Sequence, residues 1–366
     1  MKVICSRKDL FEGVQTAARA VSARSSLPIL GHLLIRTQED RIRLAATDLE
    51  IGIECSSPAN VEEAGSLTAP ARILSDVMSS LPDSDVVLSV DEAHKVALKC
   101  GTSEYQILGL PPEEFPMLPE VKDEVSFKVE RTALRGAIEK TIFAVSQDES
   151  RASLTGILLV LADGGLKLVS TDTHRLCLVD CPALESKGET TAIVPGRAMS
   201  ELHRVVGEGE GTIDVSVSQS QVLFNVDDTI LVSRLIEGQF PNFQKVIPEE
   251  YTKKLIVPSE PFLQSVRRAA IVARENANRV VLRTADAKIT VTAESSAVGT
   301  AYEEVDIVRE GEDIEMAFSS KYLLDFLGVV DTEAVEMQLT GGLNPALLKP
   351  HEGENYSYVL MPMQIR

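Results

Sequence analysis

The sequence predicts an α+β protein made of three repeated modules, each with two helices packed on antiparallel strands. Three recurring segments and a length match carry that expectation. Thr68-Ala69-Pro70-Ala71-Arg72-Ile73-Leu74 returns as Ile193-Val194-Pro195-Gly196-Arg197-Ala198-Met199 and, more weakly, as Ala317-Phe318-Ser319-Ser320-Lys321-Tyr322-Leu323, so the basic residue recurs at intervals of 125 and 124. Leu44-Ala45-Ala46-Thr47-Asp48 returns as Leu168-Val169-Ser170-Thr171-Asp172 and more loosely as Val291-Thr292-Ala293-Glu294-Ser295, and Phe115-Pro116 as Phe240-Pro241. Three copies of about 122 residues account for all 366 positions. That length is too great for one hydrophobic core, and boundaries at 1–121, 122–249 and 250–366 follow from the repeat.

Each copy opens with an amphipathic helix. In the first, Leu10, Val14, Ala17, Ala18 and Val21 share a face; in the second, Leu134, Ile138, Thr141, Ile142 and Val145 do; in the third, Leu263, Val266, Ala270 and Ala273. The expected first helices cover 7–24, 131–146 and 258–279. A second helix follows each recurring basic segment, over 70–81, 195–206 and 319–329, and Pro70 or Pro195 suits its start because the missing amide hydrogen is not needed there. Alternating β-branched runs such as Asp85–Val90, Lys95–Cys100 and Thr229–Arg234 read as strands. Turn signals such as Asp163-Gly164-Gly165 separate them.

Composition narrows function. With 44% hydrophobic and 25% charged residues the chain can bury real cores. Its net charge of -19 supplies no bulk positive field for nucleic acid or anionic lipid. The six expected helices nevertheless sum to +7, leaving -26 elsewhere, so a helical face could meet a phosphate backbone without reading base sequence. No apolar run is long enough for a membrane span, the N-terminus is too polar for a signal peptide, and a cytoplasmic protein is expected. Cys5, Cys55, Cys100, Cys177 and Cys181 contain no Cys-x-x-Cys spacing and read as buried thiols. No phosphate-cradling glycine loop or Gly-x-Ser-x-Gly elbow is present. Asp172 and His174 are too few for a metal site, and no cofactor is expected. A hydrolase built on Asp172 and His174 with an unseen third group, or a repeat scaffold that does not bind DNA, are the alternatives to a protein that meets a phosphate backbone.

On this repeat lie Leu27-Pro28-Ile29-Leu30-Gly31, Thr171-Asp172-Thr173-His174-Arg175-Leu176, Gln239-Phe240-Pro241-Asn242-Phe243 and Tyr358-Val359-Leu360-Met361-Pro362-Met363. In this order they resemble the bacterial DNA polymerase III beta subunit family, the replicative sliding clamps, over the full length. The resemblance implies a non-catalytic processivity factor: a head-to-tail homodimer of three-domain subunits closed around duplex DNA, with helices inside and sheets outside. It implies partners in the polymerase III alpha subunit, the clamp loader, other polymerases and mismatch-repair proteins. Their short hydrophobic motifs would dock on Leu154, Thr171, His174, Arg175, Leu176, Pro241, Val246, Pro345, Val359, Met361, Pro362 and Met363. Arg24, Arg72, Gln147 and Arg197 fall at or near DNA-facing positions. Ile107 and Leu108 would meet Ile271, Val272 and Tyr302 across the dimer contact. The chain departs from the family pattern at Thr173, where glycine is usual, at Lys245, near an expected arginine, and at Arg366, which extends past the usual apolar end.

Overall fold

The structure is a computed structural model that describes residues 1–22, 27–119, 121, 124–353 and 355–365. All six expected helices form, mostly shorter than the periodicity suggests: α1 (Arg7–Ala18), α2 (Ala71–Ser80), α3 (Arg131–Ile142), α4 (Gly196–Val206), α5 (Ser259–Ala273) and α6 (Ser320–Leu327). Ser6 starts α1 by accepting the Asp9 backbone N–H at 3.1 Å, a side-chain cap that satisfies a donor the helix cannot. The expected extensions of the first helix of each copy do not form. Arg19 is already the C-cap of α1, and beyond α5 Ala277 and Asn278 turn left-handed at φ 52° and 57°, which ends helical geometry. Pro70 closes the strand Ser66–Pro70 and caps α2 from outside rather than occupying its first turn. The buried face of α5 is set by Phe262, fully enclosed, where Leu263 was expected; Val266, Ala270 and Ala273 are buried as anticipated.

The described residues cluster into two compact units. One comprises Met1–Thr132, Leu184–Gly188 and Ser200–Leu235, the other Ala133–Ala183, Glu189–Met199 and Ile236–Arg366. In the first, Ser66–Pro70, His32–Gln38, Arg41–Thr47 and Ile51–Pro58 form an antiparallel ladder that continues through Thr229–Arg234, Gln221–Val226, Thr212–Val217 and Val125–Glu130. In the second, Thr190–Pro195, Gly156–Ala162, Gly165–Thr171 and the start of Arg175–Lys187 continue antiparallel through Tyr356–Leu360, Ala346–Pro350, Ala334–Leu339 and Lys253–Pro258. The two ladders are the same construction built from successive copies of the repeat. The expected strands Asp85–Val90, Lys95–Cys100 and Thr229–Arg234 form with those bounds.

Each unit also carries a smaller antiparallel sheet with an open edge. Ser103–Leu108 is the last strand of the first unit's five-stranded sheet, and Gly299–Asp306 the last of the second unit's four-stranded sheet. Alternation explains the cores: Val86 and Leu88, and Val96 and Leu98, are fully buried at every second position. The five cysteines are all buried and unpaired by disulfides, and burial pushes the thiols of Cys5, Cys55 and Cys177 up to about 12. Among the described residues no helix is long and apolar enough to cross a membrane.

Candidate functional site

The residues expected to form a peptide groove all fall in the second unit. Thr171-Asp172-Thr173-His174 makes a tight turn between two strands. The Thr171 hydroxyl donates to the Arg175 carbonyl at 2.7 Å and accepts the Thr173 backbone N–H at 3.1 Å. Asp172 Oδ1 accepts the backbone N–H groups of His174 and Arg175, both at 3.0 Å. The turn puts Thr173 at φ 77°, a left-handed conformation that glycine adopts without cost and a β-branched residue does not. This is the physical meaning of the departure at that position.

After the turn, Arg175–Val179 pairs antiparallel with Tyr356–Leu360, placing Leu176 directly opposite Val359. The Met361 backbone N–H donates to the His174 carbonyl at 2.9 Å, and that of Met363 to Ala317 at 2.7 Å, so the C-terminal segment is tied down on both sides of Pro362. Leu158, Val169, Leu176, Ile193, Leu347 and Val359 form one buried cluster, against which Ile236, Phe240, Phe243, Val246 and Ile247 pack half-exposed. The expected groove residues therefore fall in two tiers. Leu154, Thr171, Arg175, Leu176 and Val359 are buried and would form its base. Val246, Pro345, Met361, Pro362 and Met363 are half-buried, while His174, Pro241 and Lys245 are exposed.

Arg175 organises the base. Its guanidinium donates through Nε to Asp172 Oδ2 at 3.0 Å, through Nη1 to Asp325 Oδ2 at 2.5 Å, and through Nη2 to the Phe143 carbonyl. It lies over the rings of Tyr322 at 4.2 Å and Phe143 at 5.2 Å. Burial alone would favour its neutral form, but Tyr358, Asp325 and Asp172 outweigh burial and raise its pKa. Tyr322 also stacks with the His174 ring, centroids 6.5 Å apart. Sequence reasoning missed Phe143, Phe240, Phe243, Tyr322 and Asp325 as parts of this site. Tyr322 and Phe240 lay in the recurring segments, which was the available signal; nothing local marks Phe143 or Asp325. Asp172, which might have served a catalytic or metal role, is committed to its turn and to Arg175, and among the described residues no cluster of three metal-ligating side chains occurs.

The expected DNA-facing residues fall on different elements. Arg72 and Arg197 are exposed in the first turns of α2 and α4, Gln147 is exposed in the loop after α3, and Arg24 lies outside the described residues, as does Arg366. The observed helices hold eleven basic and seven acidic side chains, a net +4. The expected +7 shrinks because Arg19, Arg274, Arg279 and Glu275 lie beyond helix ends and Arg24 lies outside the described residues. Several helical cations are also ion-paired: Arg131 with Asp227 at 2.8 Å, Arg204 with Glu201 at 2.7 Å and Arg268 with Glu303 at 2.5 Å. Of the expected dimer residues, Leu108, Ile271 and Tyr302 are 70%, 63% and 64% exposed, large values for apolar side chains, whereas Ile107 is buried. Leu108 and Tyr302 lie on the two open strand edges.

Comparison with known proteins gives a consistent result. Family models for the N-terminal, central and C-terminal domains of the DNA polymerase III beta subunit match residues 1–119, 128–242 and 244–364. The beta sliding clamp of Staphylococcus aureus strain Mu50 is 33% identical over 374 aligned residues, covering 100% of this chain and 99% of that protein. Among solved structures, the DNA polymerase sliding clamp of Bacillus subtilis superposes with a TM-score of 0.95 at 28% identity, covering 100% of both chains. The sliding clamp of Bartonella birtlesii, solved bound to griselimycin, gives 0.94 at 30% identity, again covering both chains fully.

Proposed function

Because the chain belongs to the DNA polymerase III beta subunit family, we propose that it is a replicative sliding clamp: a homodimeric ring that encircles duplex DNA and tethers the polymerase. The observation that carries this reading is the in-order match of three clamp domains along nearly the whole chain. In this reading the domain limits fall at 1–121, 122–249 and 250–366.

Two open strand edges support dimer closure. Backbone N–H and C=O groups on Ser103–Leu108 and Gly299–Asp306 lack a partner strand on one side, and Leu108 and Tyr302 add exposed apolar surface on those strands. Pairing one edge with the other from a second copy, head to tail, would satisfy both of these edges. A closed ring holds DNA by linkage, so weak, screened contacts from Arg72, Arg197, Gln147 and Arg24 would suffice and would permit sliding.

The groove around Leu176, Val359 and Met361 would then dock short hydrophobic motifs of the polymerase alpha subunit, the clamp loader, other polymerases and mismatch-repair proteins. Its half-buried methionines and prolines offer a deformable apolar surface suited to several partners. The protein itself performs no chemical step in this reading, requires no cofactor, and works in the cytoplasm on the nucleoid.

The test is loading by a clamp loader and ATP onto nicked circular DNA, followed by gel filtration before and after linearisation. Retention on the circle and loss from the linear form, with a two-subunit mass by light scattering, is the expected result. Equal loss from both forms, or a monomer at micromolar concentration, would refute the ring.

A further inference from the structure

We propose that the first unit carries a second peptide-docking site, a short apolar groove that accepts one aliphatic side chain flanked by basic residues. The groove is a concavity of about 310 Å³ lined by Leu27, Pro28, Ile29, Leu30, Leu49, Leu110, Glu114 and Pro116. Its lining is apolar apart from Glu114, and Leu27 and Leu49 stand 50% and 46% exposed on its walls. This proposal goes beyond the clamp reading and does not depend on ring closure.

The internal repeat explains why a groove stands here. Thr47-Asp48-Leu49-Glu50 forms the same turn as Thr171-Asp172-Thr173-His174. The Thr47 hydroxyl donates to the Ile51 carbonyl at 2.8 Å and accepts the Leu49 N–H at 2.9 Å, Asp48 accepts the Glu50 and Ile51 N–H groups, and Leu49 shares the φ of 77° found at Thr173. The strand beyond the turn pairs with Thr229–Ser233 as Arg175–Val179 pairs with Tyr356–Leu360. The Arg234 N–H donates to the Glu50 carbonyl at 2.8 Å, as Met361 does to His174. Ile29, Leu30, Leu34, Ala45 and Phe115 make the buried base.

Three substitutions within this shared frame set a different specificity. Gly52, opposite Val232, stands where the other groove has Leu176 opposite Val359. A side chain at Gly52 would collide with Leu118, which occupies that space and closes the deep half of the groove. What remains open holds one large aliphatic side chain. At the rim, Glu50 replaces His174 and Arg234 replaces Met361, and the exposed Glu113 and Glu114 make the wall near Pro116 acidic. Three exposed carboxylates, Glu50, Glu113 and Glu114, outnumber the single cation Arg234 and leave the rim net acidic, so an apolar anchor flanked by lysines matches this balance, whereas a motif selected by a thioether-lined groove does not.

The test uses the full-length protein with Leu, Ile and Val methyl groups isotopically labelled, titrated with the probe peptide acetyl-Lys-Lys-Leu-Lys-Lys-amide. Saturable shifts are expected at Leu27, Leu49 and Leu110, with a dissociation constant on the order of 0.1 to 1 mM. Leu49→Ser should weaken binding about tenfold, Glu114→Lys should weaken it several-fold, and Met361→Ala should leave it unchanged. Shifts centred instead on Leu176 and Val359, equal binding of a probe with Leu replaced by Ala, or no saturable shift would each overturn the proposal.

Discussion

Arg175 and Asp325 lie 2.5 Å apart, Nη1 to Oδ2, and join the strand after the Thr171–His174 turn to helix α6 across 150 residues of sequence. The arginine side chain is 5% exposed and the aspartate 27%. The same guanidinium is gripped by Asp172 and lies over the rings of Phe143 and Tyr322. The base of the groove therefore depends on a buried charge whose every partner is in place.

Breaking that arrangement from one side should be costly. Asp325→Ala leaves Arg175 with one carboxylate in place of two, and Arg175→Ala leaves Asp172 Oδ2 without its donor and removes the cation from both rings. Each should destabilise the second unit by about 3 to 5 kcal/mol. Replacing both partners with Arg175→Met and Asp325→Leu should cost less than the sum of the single changes. Denaturant melts of the single and double variants check this, and additive losses would show that the two residues act independently.

Groove residues should separate by depth. Met361 is half-buried and Leu176 is 2% exposed, so Met361→Ala should reduce affinity for a Gln- and Leu-containing polymerase peptide about tenfold or more while leaving the melting midpoint nearly unchanged. Leu176→Ala removes part of the core and should cost about 2 to 5 kcal/mol of stability as well. Fluorescence polarisation paired with thermal melts distinguishes a lost anchor from a lost floor.

The strained turn makes a prediction of the opposite sign. Thr173→Gly removes a side chain from a left-handed backbone position and should stabilise the protein by about 1 kcal/mol, less the entropy glycine adds to the unfolded chain. The Thr173 hydroxyl makes only a 3.4 Å exposed contact with Arg151, so little is lost in exchange. A lower melting midpoint in the glycine variant would contradict this.

One ion pair should set part of the acid sensitivity. Glu336 is held to Lys254 at 3.0 Å and accepts from Gln338 at 2.6 Å. Burial pushes its carboxyl up, but Gln338 and Lys254 outweigh burial and hold it below the usual carboxylate range, while the hydrogen bond to Glu336 raises Lys254. A lowered carboxyl pKa contributes stability that is complete above the unfolded value of about 4.3 and is lost as pH falls through the folded value. The raised lysine contributes below about 10.4 and loses its contribution as pH rises through its folded value. Glu336→Gln should therefore flatten the pH dependence of stability below about pH 5, read by urea melts across that range, and an unchanged acid slope would remove this pair from the account.

The sequence alone was enough for the modular architecture, because each helix and strand announces itself by a local period and the period recurs every 124 or 125 residues. Leu10 and Val14, Leu134 and Ile138, and Val266 and Ala270 share helical faces by spacing, and the structure buries all but the faces' ends. The recurring Thr-Asp pair likewise encodes a turn, since its hydrogen bonds reach no further than four residues. Helix ends were less legible: α1 and α5 stop early because of cap and left-handed geometry that periodicity does not carry. What only the tertiary structure decided is how distant segments combine. Phe143 and Asp325 have no local pattern that assigns them to the groove; they belong to it because strand pairing brings Arg175 opposite Leu360 and the fold turns α3 and α6 toward the same guanidinium. Leu176 and Gly52 occupy the same place in the repeat, yet one joins the buried cluster with Val359 and the other leaves its space to Leu118. That difference rests on the volume left between packed side chains, which no single segment of sequence contains.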